Sequence, residues 1–486
     1  MNPSRVVAAG FEEQRAVEPP HAGVGGRLAA ETERPHSPAA PDAGRSADGQ
    51  KRGRTVSLVP LEPILTIERR MVMPTRLLIS TLAMAVVVTT GVAAPQKEAS
   101  VPTLSKAQWG SDLQYLAEQL PKRHKNLFHH VTREQFERAV AELDAAIPSL
   151  QDHQIIVRML QITGAIGDAH TYVHLPKTFK VYPVIPYWFG NELRVLRNIP
   201  AYKDALGARI VKIGELSISD VQTRLLTVLS QDENEWFILS NSPGYMIHPA
   251  VLHTLGIVPD ISHAVFTFED AQGKQFSLDI VPSAPDTKPD WLSAVKEQPL
   301  SRQHPNEPFW FTYLPDSQTV YVSFRNYDSL GDNARKLFEL IDKNPTRRLV
   351  IDMRQNGGGD FTKVRHSLIP GIKRRPEINK KGHLFIAIGR STFSAAMTNA
   401  IDFRNDTSAI LVGEPAGERP NSYQENDEME LPNSHLTVSY STRYYKFLDD
   451  DGRALMPDER IDPSWDYYKA GRDPVLEWIL SSSADK

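Results

Sequence analysis

The sequence predicts an α/β protein whose sheet-and-helix domain fills the C-terminal half, behind a helical subdomain and a β-rich middle region. Three observations carry this. Strand-like and helix-like segments alternate from Thr319 onward. Arg348-Leu-Val-Ile-Asp-Met353 is apolar without alternation, as a strand buried on both faces would be. Between residues 103 and 150, by contrast, Leu113, Leu116 and Leu120, then Phe136, Val140 and Leu143, recur at helical spacing.

Taken in order, residues 1–70 are rich in Pro, Gly, Ala, Arg and Glu, show no helical or strand period, and are not expected to pack a core. Residues 71–94 read as a signal peptide: Arg76 precedes the apolar run Leu77 to Val88, and Val92-Ala93-Ala94 supplies a small-residue cleavage site. An uncleaved anchor is the alternative, because the run is nearly long enough to span a bilayer. Cleavage implies export to a periplasmic or extracellular location; membrane association follows only if the segment stays uncleaved. The residues ahead of it are then explained by a start codon assigned too far upstream, which N-terminal sequencing of the natural product would test.

The helical subdomain is expected over 103–178. Its last helix, Gln154 to Ile166, ends at Gly167-Asp168, and Tyr172-Val-His-Leu175 then alternates like a strand, so His170 lies at a junction. The middle region, 180–285, holds the strands Glu192–Leu196 and Ala208–Ile213, a helix from Ser219 to Leu229, and a hairpin of Ala264–Phe268 and Phe276–Val281. Leu206 to Val221 resembles the loop-and-strand pattern of PDZ-like domains, which add a peptide as an extra strand; a supporting β-domain without a peptide groove is the alternative. The C-terminal domain, 305–482, contains the strands Thr319–Phe324, Arg348–Met353, His383–Ile388, Ala409–Val412 and Leu436–Tyr440, with helices over Asp332–Asp342, after Ser394, and over Asp473–Leu480.

Composition narrows the function. With 486 residues, 41% hydrophobic and 23% charged, the chain can bury more than one core. A formal net charge of −4 without a basic stripe argues against nucleic acid as a partner. The chain has no cysteine, which removes disulfides, thiolate metal sites and cysteine nucleophiles.

Two segments invite chemistry. In the first, a strand closed by Gly389 leads through Arg390-Ser-Thr-Phe-Ser394 into a helix that begins Ala395-Ala-Met. Ser394 therefore falls at a helix N-terminus, where unpaired N–H groups can receive an oxyanion and a serine can serve as nucleophile or simply as N-cap. In the second, three glycines, Gly357 to Gly359, follow the strand Leu349–Met353; they suit an oxyanion or phosphate loop, or a tight turn, and the Lys-Ser or Lys-Thr of a phosphate loop is missing.

In their order along the chain these segments resemble the tail-specific, or C-terminal processing, serine proteases and their tricorn-type relatives. Four stretches carry the resemblance: Ile166-Gly-Asp-Ala-His170-Thr, Val350-Ile-Asp-Met-Arg-Gln-Asn-Gly-Gly-Gly359, Thr392-Phe-Ser394-Ala-Ala, and Gly413-Glu414-Pro415. Pro457-Asp458 and Gly471-Arg-Asp473-Pro-Val-Leu476 complete it. The resemblance implies a ClpP/crotonase-like core, peptide-bond hydrolysis through an acyl-enzyme, a peptide or unfolded protein as substrate, and no metal or organic cofactor. It departs from the lysine-dependent branch, because Arg419 stands at about the lysine position and a guanidinium stays protonated. By resemblance to the tricorn-type branch, Ser394 is then the nucleophile, His170 the base, and the N–H groups of Gly358 and Ala395 the oxyanion donors. Ala169 replaces a serine that in that branch supports the base; Glu459 is the expected acidic orienter, with Asp168 as the alternative. A binding protein of the same fold without turnover is the rival function.

Overall fold

Runs of branched and aromatic residues form the parallel strands Arg348–Asp352 and Leu384–Ile388 at the centre of a six-stranded sheet, every residue of both being buried. The strand order is Glu459–Arg460, Ile410–Gly413, Leu384–Ile388, Arg348–Asp352, Thr319–Phe324, Phe309–Leu314. Neighbours pair in parallel except for the last strand, which runs antiparallel to Thr319–Phe324. Side chains still divide by the period of two. Val320, Leu349, Ile351, Leu384 and Ile386 pack with the helices Leu330–Lys343 and Ala395–Asp406. Tyr321, Val350, Phe385 and Val412 point to the other face, under Val475 and Ile479 of the closing helix Pro474–Ser481. The fold class is thus the α/β one expected.

The computed structural model describes residues 104–482, apart from 285, 286 and 288. The expected upstream segment, 1–70, and signal peptide, 71–94, lie outside the described residues. No helix among the described residues is long and apolar enough to cross a membrane.

Three helices, Lys106–Arg123, Arg133–Ala146 and Asp152–Gly164, open the described chain. Ser105 with Gln108, and Thr132 with Gln135, form reciprocal capping boxes that fix where the first two begin. The middle region is a seven-stranded sheet whose main path runs Val184–Phe189, Glu192–Asn198, Arg209–Ile213, Ala264–Glu269, Gln275–Ile280. Between the strands Arg209–Ile213 and Ala264–Glu269 the chain also forms two helices, Glu235–Met246 and Pro249–Thr254. Helices and sheet share one core: Leu113, Ile155, Val251 and Phe266 belong to the same buried cluster.

That cluster also takes in Val438 and Tyr440 from a hairpin of the C-terminal half, Ser422–Glu430 with Thr437–Tyr445. Tyr172–Val173 adds to the hairpin as a third strand, Tyr172 opposite Ser439. The segment carrying His170 is therefore stitched to the C-terminal half by backbone hydrogen bonds. The hairpin turn is held in turn by Asp112, a fully buried carboxylate on the first helix. It accepts the N–H groups of Asn433 (2.9 Å) and Ser434 (2.8 Å) and the Asn433 side-chain amide (2.8 Å). Asp112→Ala leaves these donors without a partner and should lower the free energy of unfolding by about 3 kcal/mol. Urea denaturation checks this; a loss below about 1 kcal/mol, the size of one ordinary hydrogen bond, would show that the lock contributes little.

Candidate active site

The strand Leu384–Ile388 ends at a turn that is tied to the loop of the neighbouring strand. Thr392 Oγ1 donates to the Met353 carbonyl (2.9 Å) and accepts the Gly389 N–H (3.0 Å), while Phe393 N–H donates to the Asn356 carbonyl (3.0 Å). The turn forces Ser394 to φ 53°, ψ −126°, a conformation that L-residues rarely adopt, immediately before the helix Ala395–Asp406. Ser394 stands at the cap position, yet its side chain makes no capping hydrogen bond, which leaves Oγ uncommitted. Gly358 makes the close approach possible. Its φ is +109°, and a Cβ there would lie 2.7 Å from Ser394 Cβ and 3.2 Å from Ala395 N.

His170 is placed by Asp168. After the helix Asp152–Gly164 ends, the Asp168 carboxylate accepts from His170 N–H (3.2 Å), Thr171 Oγ1 (2.8 Å), Ser441 Oγ (2.5 Å) and His124 Nε2 (3.0 Å). This turns the His170 ring onto Phe393, with centroids 4.9 Å apart and an interplanar angle of 26°. His170 Nε2 then meets Glu418 Oε1 at 2.9 Å, and Glu418 Oε2 accepts the N–H of Ser394. Glu418 joins the histidine to the serine turn. Among the described residues no hydrogen bond links Ser394 Oγ to the imidazole, and Nδ1 is the ring nitrogen without a protein partner. Ser394, His170 and Ala395 line one cavity of about 710 Å³, whose apolar wall includes Phe237, Tyr245 and Phe393.

The sequence matches no protein-family model, and no curated protein matches it. The architecture does have solved counterparts. Mature CPAF, in a complex with lactacystin, is similar with a TM-score of 0.53 and 10% identity over 77% of this chain and 97% of that one. The chain has the fold of mature CPAF. The photosystem II D1 C-terminal processing protease is similar with a TM-score of 0.36 and 14% identity, covering 73% of this chain and 93% of that one. Tricorn protease has a TM-score of 0.39 and 14% identity, covering 77% of this chain and 36% of that one.

Within this fold, Ser394 and His170 come to the same cavity. Of the two expected oxyanion donors, Ala395 is the first residue of its helix, which leaves its N–H unpaired, whereas Gly358 N–H donates to Asn356 Oδ1 (3.0 Å). Glu459 sits on the short edge strand, opposite Val412, and the carboxyl bonded to the His170 ring is that of Glu418. Asp168 holds the His170 backbone and the His124 ring. Arg419, at about the lysine position of the lysine-dependent branch, turns its guanidinium to Asp232. Sequence reasoning missed Glu418: it directly precedes Arg419, and a carboxylate three residues past Gly413-Glu414-Pro415 carries no signal in the sequence alone.

The electrostatics are set by burial. Burial pushes Glu233 up to about 8, against the N–H of Arg419, which it accepts at 3.0 Å, and with repulsion from Asp168. It pushes Glu418 well above the carboxylate range, with Glu233 adding to the effect. It holds the His170 imidazole down to about 4. Asp168 would also be raised by burial, but hydrogen bonds from His124 and Ser441 outweigh it and keep its pKa below the usual value. His124, His129 and Asp168 have ligand atoms within 4.8 Å of one another, a spacing a cation could use. His124 Nδ1, however, accepts the Asn126 N–H (3.0 Å), so the proton rests on Nε2 and is donated to Asp168, leaving no lone pair there for a metal. Gly358→Ala should abolish covalent labelling of Ser394 by a fluorophosphonate while sparing the secondary structure seen by circular dichroism, because a methyl group at that φ collides with the serine turn. Labelling within about tenfold of the parent, one decade of the loss expected from removing an oxyanion donor, would mean that the two loops are not locked as described.

Proposed function

We propose that the chain is an exported serine peptidase acting on unfolded or extended polypeptides through an acyl-enzyme, with Ser394 as nucleophile and His170 as base. One observation supports this above the others: a serine on a strained turn at a helix start shares a cavity with a histidine whose ring is held by a buried carboxyl. Ser394 Oγ attacks the peptide carbonyl and passes its proton to Nδ1 of His170; the imidazolium returns that proton to the leaving amine, and water repeats the sequence to release the acid. The N–H of Ala395, and that of Gly358 once it leaves the Asn356 carboxamide, stabilise the oxyanion. Glu418 takes the place of the acidic orienter, holding the ring through Nε2 so that Nδ1 faces the cavity. Asp168 supplies negative charge near the ring where the imidazolium forms. Export rests on residues 71–94, read as a signal peptide.

Ser394→Ala should remain folded and lose fluorophosphonate labelling entirely; unchanged labelling would refute the serine, and an unlabelled parent would leave a peptide-binding protein of this fold. Glu418→Gln should lower kcat/KM by about 100-fold or more: an amide donating to Nε2 cannot lose its proton as the Glu418 carboxyl can, so the imidazole stays in the tautomer with Nδ1 protonated. The imidazole accepts a proton only when neutral, so activity should fall as pH drops through its pKa. Burial raises Glu418 and lowers His170, and Nδ1 can accept only when both have lost their extra protons, so the acid limb of kcat/KM should follow Glu418 and lie above the ordinary carboxylate value of about 4.3. A limb at about pH 4 or below would show that Glu418 need not ionise for turnover.

A further inference from the structure

A second, smaller cleft of about 190 Å³ lies on the far side of the serine turn, and Arg390 and Ser391 line both it and the catalytic cavity. Its wall is rich in guanidinium groups. Arg354 is held by Asp352 and Asp473, Arg390 by Glu414, and Arg472 by Glu477. Arg302 differs. It is half-buried, lies 5.1 Å from the Tyr187 ring centroid and 5.2 Å from that of Tyr468, and has no carboxylate partner among the described residues.

The backbone under Arg302 is fixed. The Arg325 guanidinium donates to the carbonyls of Ser301 (3.2 Å), Gln303 (2.8 Å) and His304 (2.7 Å), and the Gln355 amide donates to Ser301 O (3.2 Å). A planar cation with five donors and no acceptor is thus held between two tyrosine rings, in a groove that leads to Ser391, three residues from the nucleophile. Its donors suit one ligand chemistry above others, a carboxylate taken in bidentate fashion. Little conformational freedom would be lost on binding, because the segment is already rigid.

We propose that Arg302 forms a carboxylate subsite of the substrate groove, engaging either the free C-terminus or an acidic side chain of the peptide bound at Ser394. This rests on the peptidase reading. The test uses peptide pairs that differ only in a C-terminal carboxylate or carboxamide, and a third peptide with an amide end and a glutamate in place of a glutamine. The parent protein should favour one carboxylate-bearing peptide by about tenfold or more in kcat/KM, as expected for a charge-assisted pair. Arg302→Gln should erase that preference and Arg302→Lys should keep part of it, with fluorophosphonate labelling of Ser394 unchanged in both. Preference for the free end or for the glutamate identifies the source of the carboxylate. Equal rates for all three peptides in the parent, or a preference that survives Arg302→Gln, would overturn the subsite. Fluorescence anisotropy of the same peptides on Ser394→Ala reads the subsite without turnover: weaker binding by Arg302→Gln of the carboxylate peptide alone supports it, and equal weakening of all peptides refutes it. Absence of labelling in the parent would defeat the peptidase reading and leave this binding result standing.

Discussion

Everything at the site depends on the contact between Gly358 and Ser394. The serine occupies a backbone conformation that costs on the order of 1–3 kcal/mol, and such strain persists only where the surroundings over-determine it. Here they do. Thr392 and Phe393 are hydrogen-bonded to the backbone of the Met353–Asn356 loop, and the helix beyond Ser394 is anchored by Ala396, Met397 and Ala400 in the core beneath the sheet. Two loops that leave adjacent parallel strands are thereby pressed together, with a glycine where a side chain would separate them. The same approach that strains the serine brings the Gly358 and Ala395 amides into one place.

The second constraint is the burial of acids around one imidazole. Asp168, Glu233 and Glu418 are all nearly or wholly inaccessible, and three ionised carboxylates in so small a space would repel one another strongly. They are accommodated differently. Asp168 remains ionised on four donors, whereas Glu233 and Glu418 are pushed toward the neutral form. With Glu418 raised and His170 lowered, a proton in this group rests on carboxyl oxygen, and Nδ1 is free to accept the serine proton only once Glu418 has given its proton up. A lysine in the position of Arg419 would face the same acids; the arginine instead leaves the group to pair with Asp232, and the imidazole is the side chain that remains able to exchange a proton with the serine.

How much of this could be read from the sequence follows from where each signal is stored. Leu349 to Ile351 and Leu384 to Ile388 announce buried strands because both faces need apolar side chains, and Thr319–Phe324 appears with the boundaries the sequence predicts. The strand Ser422–Glu430 escaped notice, since its middle, Glu425-Asn-Asp-Glu428, is exposed and carries no apolar alternation. The helix Glu235–Met246 contains Asn241-Ser242-Pro243-Gly244, residues that individually favour turns; packing of Phe237 and Met246 overrides them. Ser394 and His170 were legible as ordered motifs. Glu418 was not, because what singles it out is burial against a residue distant in sequence, a property of the fold and not of its neighbours.

That distance has a consequence for how the site comes into being. His170 belongs to the segment that packs with the helical and β-rich region, whereas Ser394 belongs to the sheet of the C-terminal half. What joins them is polar. Ser441 and Thr171 converge on Asp168, Tyr172–Val173 pairs with Thr437–Tyr445, and Asn234 Nδ2 donates to the carbonyls of Ala416 (3.1 Å) and Arg453 (3.0 Å). Such bonds are directional, so the imidazole reaches Glu418 only in one register of the two halves, while apolar contacts alone would tolerate small slips. Glu418, bonded to the ring through one oxygen and to the Ser394 amide through the other, is the point where that register is read out as chemistry.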